Sequence, residues 1–355
     1  MRPETLERIW FGNDPLARAI RTALMPAELL FRGASGARSY MYGAGILSRA
    51  EPAIPALSVG NLTVGGTGKT PVSAWFCAAL SSAGAKPAVV LRGYGSDEVL
   101  VHEVLNPGAI VVTGRDRVQA LDSARAQGAD VAVLDDAFQH RSVARAADVV
   151  LISADEPFGQ QRMLPAGPWR EPLSALKRAS IAIVTRKAAS EAAVRQVSSL
   201  VAEAASGIPI ATASLRLGEL RPLRSAMRTA TGAASTALPL ASLAGASVLP
   251  VAALGNPRAF VRQLEALGAS VRKSLLYPDH HDFTHEDVTA ITSAATDADF
   301  VVCSLKDAVK LAPVWPREGP EVWYVTQSVT FERGEEHVTK IVDSVLAERE
   351  HSTRP

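Results

Sequence analysis

Short, unbroken apolar runs alternate along the chain with stretches whose apolar residues recur at three- and four-residue steps. Residues 57–72, LSVGNLTVGGTGKTPV, read as a strand, a glycine-rich turn and the start of a helix, and the helix is expected to continue over 71–82. Further strands are expected at 87–91, 109–113, 130–134, 149–152 and 181–184, with a helix over 116–127. Continuous apolar strands separated by amphipathic helices predict an α/β fold with a mostly parallel, fully buried sheet. From Gly218 to Ser247, Ala, Ser and Thr dominate and the periodicity fades, which marks a connection between domains. A second, smaller α/β unit then follows, with strands at 248–254, 270–276, 300–304 and 322–325, helices at 258–267 and 284–295, and a short helix opened by Lys306-Asp307. A helix and a frayed tail end the chain. The expected organisation is therefore an N-terminal segment 1–50, a core 51–217, a connection 218–247 and a C-terminal α/β domain 248–355.

Residues 9–47 have a different pattern. Leu16, Ile20, Ala23, Leu24, Ala27, Leu30 and Phe31 recur at helical spacing, with Arg18, Arg21, Arg32 and Arg38 between and beyond them. The spacing predicts an amphipathic helix, with a break at Pro26. Trp10, Phe11, Tyr40 and Tyr42 lie near its ends. Two readings stand: the segment lies in a membrane interface with its arginines towards anionic headgroups, or it packs on the domain behind it.

Composition narrows the class. At 355 residues and 47% apolar, the chain can bury two cores and is not disordered. A formal net charge of +1 argues against a generic nucleic-acid binder. Cys77 and Cys303 lie in apolar runs and are expected as reduced, buried thiols in a cytoplasmic protein. No apolar run reaches the roughly 18 residues needed to cross a bilayer, and MRPETLERIW is not a secretory signal.

Against that background the glycine-rich turn reads as a phosphate cradle. In Thr63, Val64, Gly65, Gly66, Thr67, Gly68, Lys69 and Thr70, the glycines let backbone amides converge on an anion. Lys69 can reach the β- and γ-phosphates, and Thr70 can ligate magnesium. Thr63 occupies the first glycine position of the usual motif. The strand DVAVL runs into Asp135-Asp136, oxygen ligands suited to the magnesium side of such a site. A loop after residue 157 carries Arg162, Trp169, Arg170, Glu171 and Lys177, either a surface for a phosphorylated or sugar-bearing substrate or a rigid covering loop. Asp97 and Glu98, beyond the strand ending in Arg92-Gly93-Tyr94-Gly95, are candidate bases or a surface acidic pair. YPDHHDF, at 277–283, offers an imidazole to tune such a base across an interdomain cleft; a metal there would need adjacent histidines to converge.

Taken in order, SVGNLTVGGTGKTP, RGYG with its following Asp-Glu pair, GRDR, LDDAFQH, RMLPAGPWREPLSALKRA, ALGNP, YPDHHDFT and SLKDAVKL resemble the blocks of the tetraacyldisaccharide 4'-kinase family of lipid A biosynthesis. The likeness runs from about Trp10 to Leu311. It implies a P-loop NTPase-like core and transfer of the γ-phosphoryl of ATP, with Mg²⁺, to the 4'-hydroxyl of a tetraacylated disaccharide 1-phosphate. The implied setting is peripheral, at the cytoplasmic face of the inner membrane. By the same resemblance Lys69 and Thr70 are the loop's lysine and threonine, Asp135 and Asp136 the magnesium-side pair, Asp97 the catalytic carboxylate and His280 its partner. Gln139, His140, Arg170 and Glu171 are implied substrate contacts; Ser96 and Ala137 stand where the family has glycine. The partners expected are the lipid disaccharide and the membrane surface, with a monomer favoured. A membrane-recruited nucleotide switch and a soluble small-molecule kinase are the alternatives.

Overall fold

The computed structural model describes residues 3–353 apart from 94–95, 157, 159–160, 227–236, 256 and 280. In chain order the elements are α1 (Pro3–Phe11), α2 (Pro15–Gly43), β1 (Ala56–Asn61), α3 (Lys69–Ser82), β2 (Pro87–Leu91), α4 (Ser96–Leu105), β3 (Ile110–Thr113), α5 (Arg117–Ala126), β4 (Val131–Asp135) and β5 (Ala147–Ser153). They continue with β6 (Ile181–Arg186), α6 (Glu191–Ala204), β7 (Ile210–Pro222), β8 (Val248–Ala252), α7 (Pro257–Ala266), β9 (Leu275–Leu276), α8 (His285–Ala294), β10 (Phe300–Ser304), α9 (Leu305–Leu311), β11 (Val322–Arg333) and α10 (Glu335–Thr353).

Contacts divide the chain into two compact units that do not follow chain order: Met1–Tyr94, Asn106–Leu215 and Val329–Pro355 form the first, Gly95–Leu105 and Arg216–Ser328 the second. These units differ from the expected linear boundaries at two places. Helix α4 belongs to the second unit because Val101 is buried with Leu305, Ala308 and Val309, and α10 belongs to the first because Val338 and Val345 are fully buried in a helix lying on α3, β4 and β5.

In the first unit the strand order is β3-β2-β4-β1-β5-β6-β7, parallel throughout. All of β1, β2 and β4 is buried, which is why these strands read as continuous apolar runs. The order reverses at β1, which pairs with β4 on one side and β5 on the other. Loops leaving β1 and β4 therefore open at a switch point, where open α/β sheets bind ligands. Register places Val59 beside Asp135, so the glycine-rich turn and the acidic pair emerge from neighbouring strands.

Helix α2 runs unbroken through Pro26. A proline removes one helical hydrogen bond, and contacts along the helix outweigh that loss. Arg21 donates to the carbonyls of Ile9 and Gly12 at 2.6 and 2.7 Å, buried Glu28 accepts from the Met163 amide at 2.9 Å, and Arg141 donates to Ser39 O at 3.1 Å. One side of the segment thus packs on the first unit. Leu16, Leu29, Leu30 and Tyr40 remain exposed.

The second unit has strand order β7-β11-β10-β8-β9, the distal part of β7 serving as one edge. Strands β8 and β10 fill its core through Leu249, Val251, Val301 and Cys303. The expected strand over 270–276 shortens to Leu275–Leu276, because Ser270 makes only an isolated bridge to Ser247. Both cysteines are free and buried; burial pushes the Cys77 thiol up to about 12 and Cys303 well above its ordinary value.

Candidate active site

The turn after β1 is built from backbone that requires glycine. Gly65 and Gly68 have φ of 147° and 90°, a Cβ on Gly65 would lie 2.8 Å from Glu156 Oε1, and one on Gly68 would collide with Leu215. Gly68 is also the N-cap of α3, so no cap side chain satisfies the amides of its first turn. An uncapped helix N-terminus behind a glycine turn is an anion site. Thr63 needs no glycine freedom, since it forms an isolated bridge with Trp169 and hydrogen-bonds the Glu156 side chain. The departure from the usual motif is accommodated there.

Lys69 lies within 3.5 Å of Gly65 O and 4.0 Å of Asp136 Oδ1. Asp136 also receives Arg170 at 2.7 and 3.2 Å, and Arg170 holds the Asn61 side chain as well. Burial pushes the Asp136 carboxyl up, but the Lys69 ammonium and the Arg170 guanidinium outweigh it and hold the group below the usual range. Its φ of 49° turns the backbone so that Asp135 and Asp136 diverge from one strand end. Buried Asp135 accepts from Ser73 Oγ at 3.0 Å, one turn into α3. Hydroxyl and carboxylate oxygens from Thr70, Asp135 and Asp136 are a donor set that fits magnesium.

The long loop leaving β5 packs on the start of this turn. Val64 N donates to Pro168 O at 2.7 Å, Arg170 N donates to Leu62 O at 2.7 Å, and Met163, Trp169 and Leu176 are buried. The same packing sets Arg170 towards Asp136. Glu171 points into the body instead: it is buried and paired with Arg178 at 2.7 Å, whose guanidinium lies 3.7 Å over the Phe138 ring. Glu171, expected as a substrate contact, is held here by Arg178. Gln139 is anchored by its amide to Asn61 O at 2.8 Å. His140 is partly exposed; burial, then Arg117, Arg92 and Arg38, push its imidazole down to about 4, against the pull of Asp136.

That depression has a sign. The unfolded chain binds a proton at His140 between about 4 and 6.5 that the folded chain does not, so this residue makes stability rise with pH across that window and level off above it. His140→Asn is expected to flatten the Tm-against-pH curve there, as read by thermal unfolding in a buffer series. An unchanged slope would remove His140 as its source.

Two neighbours of the turn carry no motif and escape sequence reading. Lys187, beyond the end of β6, donates to Gly66 O at 2.9 Å, and its own amide is fixed by Asp155 at 2.7 Å. Burial pushes the Glu156 carboxyl up, opposed by Lys187, Lys69 and the Thr63 hydroxyl. Only a lysine directly after a strand hinted at the first of these.

In the second unit, Asp97 sits in the first turn of α4 and is buried. Lys306 and Lys310 approach its Oδ2 at 3.9 Å each. Asp97 thus groups with the 277–284 turn in one unit, whereas the sequence reading placed a cleft between them. His280 lies outside the described residues. Its neighbour His281 stacks on Tyr277 and bonds Asp287 Oδ2 at 2.8 Å, the carboxylate that also completes the Thr284 capping box.

The chain matches a family model described as Tetraacyldisaccharide-1-P 4'-kinase over residues 20–106 and 95–347. A tetraacyldisaccharide 4'-kinase of Anaeromyxobacter sp. (strain Fw109-5) is 35% identical over 96% of this chain and 96% of its own. One from Anaeromyxobacter dehalogenans (strain 2CP-C) is 37% identical over 87% of this chain and 86% of its own. The crystal structure of the Aquifex aeolicus member, solved in complex with ATP, has a TM-score of 0.72 at 24% identity, covering 92% of this chain and 99% of its own.

Proposed function

The chain belongs to the tetraacyldisaccharide 4'-kinase family, and from that membership and the site geometry we propose how its own residues divide the phosphoryl transfer. The enzyme is a phosphotransferase with an alcohol acceptor, the 4'-hydroxyl of a tetraacyldisaccharide 1-phosphate. ATP is the donor in this reading. Its triphosphate takes the amides of residues 63–70 and the Lys69 ammonium, which spreads γ-phosphate charge as the bond to the leaving oxygen lengthens. Thr70, Asp135 and Asp136 would hold Mg²⁺, which would supply positive charge to offset that of the triphosphate. Arg170 keeps Asp136 turned to the loop. Asp97 accepts the proton of the acceptor hydroxyl. Gln139, His140 and Arg170 are the residues we assign to the disaccharide; His140, depressed to about 4, is neutral near pH 7 and able to exchange hydrogen bonds with sugar hydroxyls.

The observation that carries this reading is the uncapped α3 N-terminus whose Lys69 lies beside the Asp136 of a neighbouring strand. Purified protein incubated in detergent with γ-labelled ATP and the lipid disaccharide is expected to label the lipid. Labelled phosphate with no labelled lipid would instead identify a nucleotide switch.

We further infer a peripheral location at the cytoplasmic face of the inner membrane through α1 and α2. Among the described residues no helix is long and apolar enough to cross a membrane. Leu29 and Leu30 are 65% and 76% exposed on a helix fixed through Glu28, and Arg32, paired with Glu28 at 3.4 Å, is exposed at the edge of the fixed side. An exposed apolar and basic face suits an interface. The double change Leu29→Glu and Leu30→Glu is expected to cut flotation with anionic vesicles at least about tenfold, with the Tm unchanged. Equal flotation would favour the soluble small-molecule kinase.

A further inference from the structure

The SLKDAVKL block, residues 304–311, is left without a role by phosphate binding and proton acceptance alone. We propose that its two lysines, Lys306 and Lys310, are positioning residues that set two positive charges against Asp97 and fix Oδ2 for the acceptor hydroxyl; the inference rests on Asp97 being the base.

The geometry is local to the second unit. Lys306 and Lys310 are four residues apart on α9, hence on one face. Both ammoniums lie 3.9 Å from Asp97 Oδ2, while the Asp97 side chain is 3% exposed. Helix α9 is itself held: buried Asp307 accepts from Ala253 N at 3.0 Å and from Ser304 Oγ at 2.6 Å, which fixes the face that carries the lysines. Each lysine has a second carboxylate in the 277–284 turn, Asp279 for Lys306 at 3.5 Å and Asp282 for Lys310 at 3.3 Å, and Lys310 also donates to His281 O at 3.2 Å. On its own helix Asp97 is followed by Glu98, and both lie in the first turn, at the positive end of the helix dipole.

These charges explain what burial would otherwise undo. A desolvated carboxylate favours its protonated form, and a protonated Asp97 cannot take the hydroxyl proton. Lys306 and Lys310 place two positive charges 3.9 Å from that carboxylate. A purely structural ion pair would hold α4 to α9 equally well, but removing it would leave the pH dependence of turnover alone.

The test uses the full chain as Lys306→Met, Lys310→Met, their Lys→Arg counterparts and Asp97→Asn, with kcat and both KM values measured from acid to alkaline pH and Tm measured alongside. In each Met variant the acid limb of kcat is expected to move up by about one pH unit, with KM for ATP within about twofold. The Arg variants are expected to restore the wild-type limb. Should Lys310→Met fold poorly, the single change at the more exposed Lys306 still gives the profile. Wild-type pH profiles in folded Met variants, with Asp97→Asn inactive, would overturn the positioning role and leave the base standing. Full activity of Asp97→Asn would overturn the base and the positioning role with it.

Discussion

Lys69→Ala is expected to lower kcat on the order of 10⁴-fold at saturating ATP and magnesium, the largest loss from any single change considered. Phosphoryl transfer passes through a loose transition state in which little is asked of a base and much of the charges around the equatorial oxygens. Lys69 opens α3 directly behind Gly68, and its ammonium rests between Gly65 O and Asp136, each an anionic or dipolar acceptor that an incoming phosphate can replace. The alanine removes that cation while the turn keeps its shape, which depends on Gly65 and Gly68 rather than on the lysine. Single-turnover kinetics with labelled ATP is the measurement, since it separates chemistry from product release. A rate within about tenfold of wild type would remove charge stabilisation at the loop as the main source of catalysis.

Asp97→Asn should cost less, on the order of 10²- to 10³-fold in kcat, because the amide keeps the volume of a buried side chain and loses only its ability to take a proton. Lys306 and Lys310 would then face a neutral group at 3.9 Å. KM for ATP should hold, and the acid limb of the rate profile should vanish. Retention of that limb with undiminished turnover would move the proton acceptor elsewhere. The order of the two effects is itself diagnostic: a larger loss at Asp97 than at Lys69 would mean that proton removal, not charge on the phosphoryl group, limits the reaction.

What could be read from the sequence was what short spans of chain decide. Strands such as PAVVL and VAVLD are buried on both faces and announce themselves as apolar runs, and the glycine turn with its lysine is a motif because its chemistry is completed within eight residues. Elements built from small or charged residues were hidden. IATASLRLGELRP forms β7, though its second half was expected to belong to an irregular connection, and α4 was missed because Asp97-Glu98 resembles the end of a loop. In the site, Asp135 and Asp136 could be found by their place at a strand end. Lys187, Glu156, Lys306 and Lys310 could not, since each acts on a partner at least 90 residues away in the chain. The Arg178 partner of Glu171 was equally illegible, because nothing in the loop sequence says which of its charges pair with one another.

The interrupted connectivity of the first unit bears on how the enzyme is made. Trp75 on α3 meets Phe331 edge to face at 4.8 Å, and Arg349 on α10 pairs with Asp130 at 3.6 Å, so the body that carries the glycine turn is completed by residues translated after the whole of 216–328. A nascent chain still on the ribosome can therefore assemble most of the lysine-bearing unit while the nucleotide-holding one waits for its final helix. Termination before Val329 would remove Phe331, Val338 and Val345 and uncover the apolar surface of the first unit that they bury.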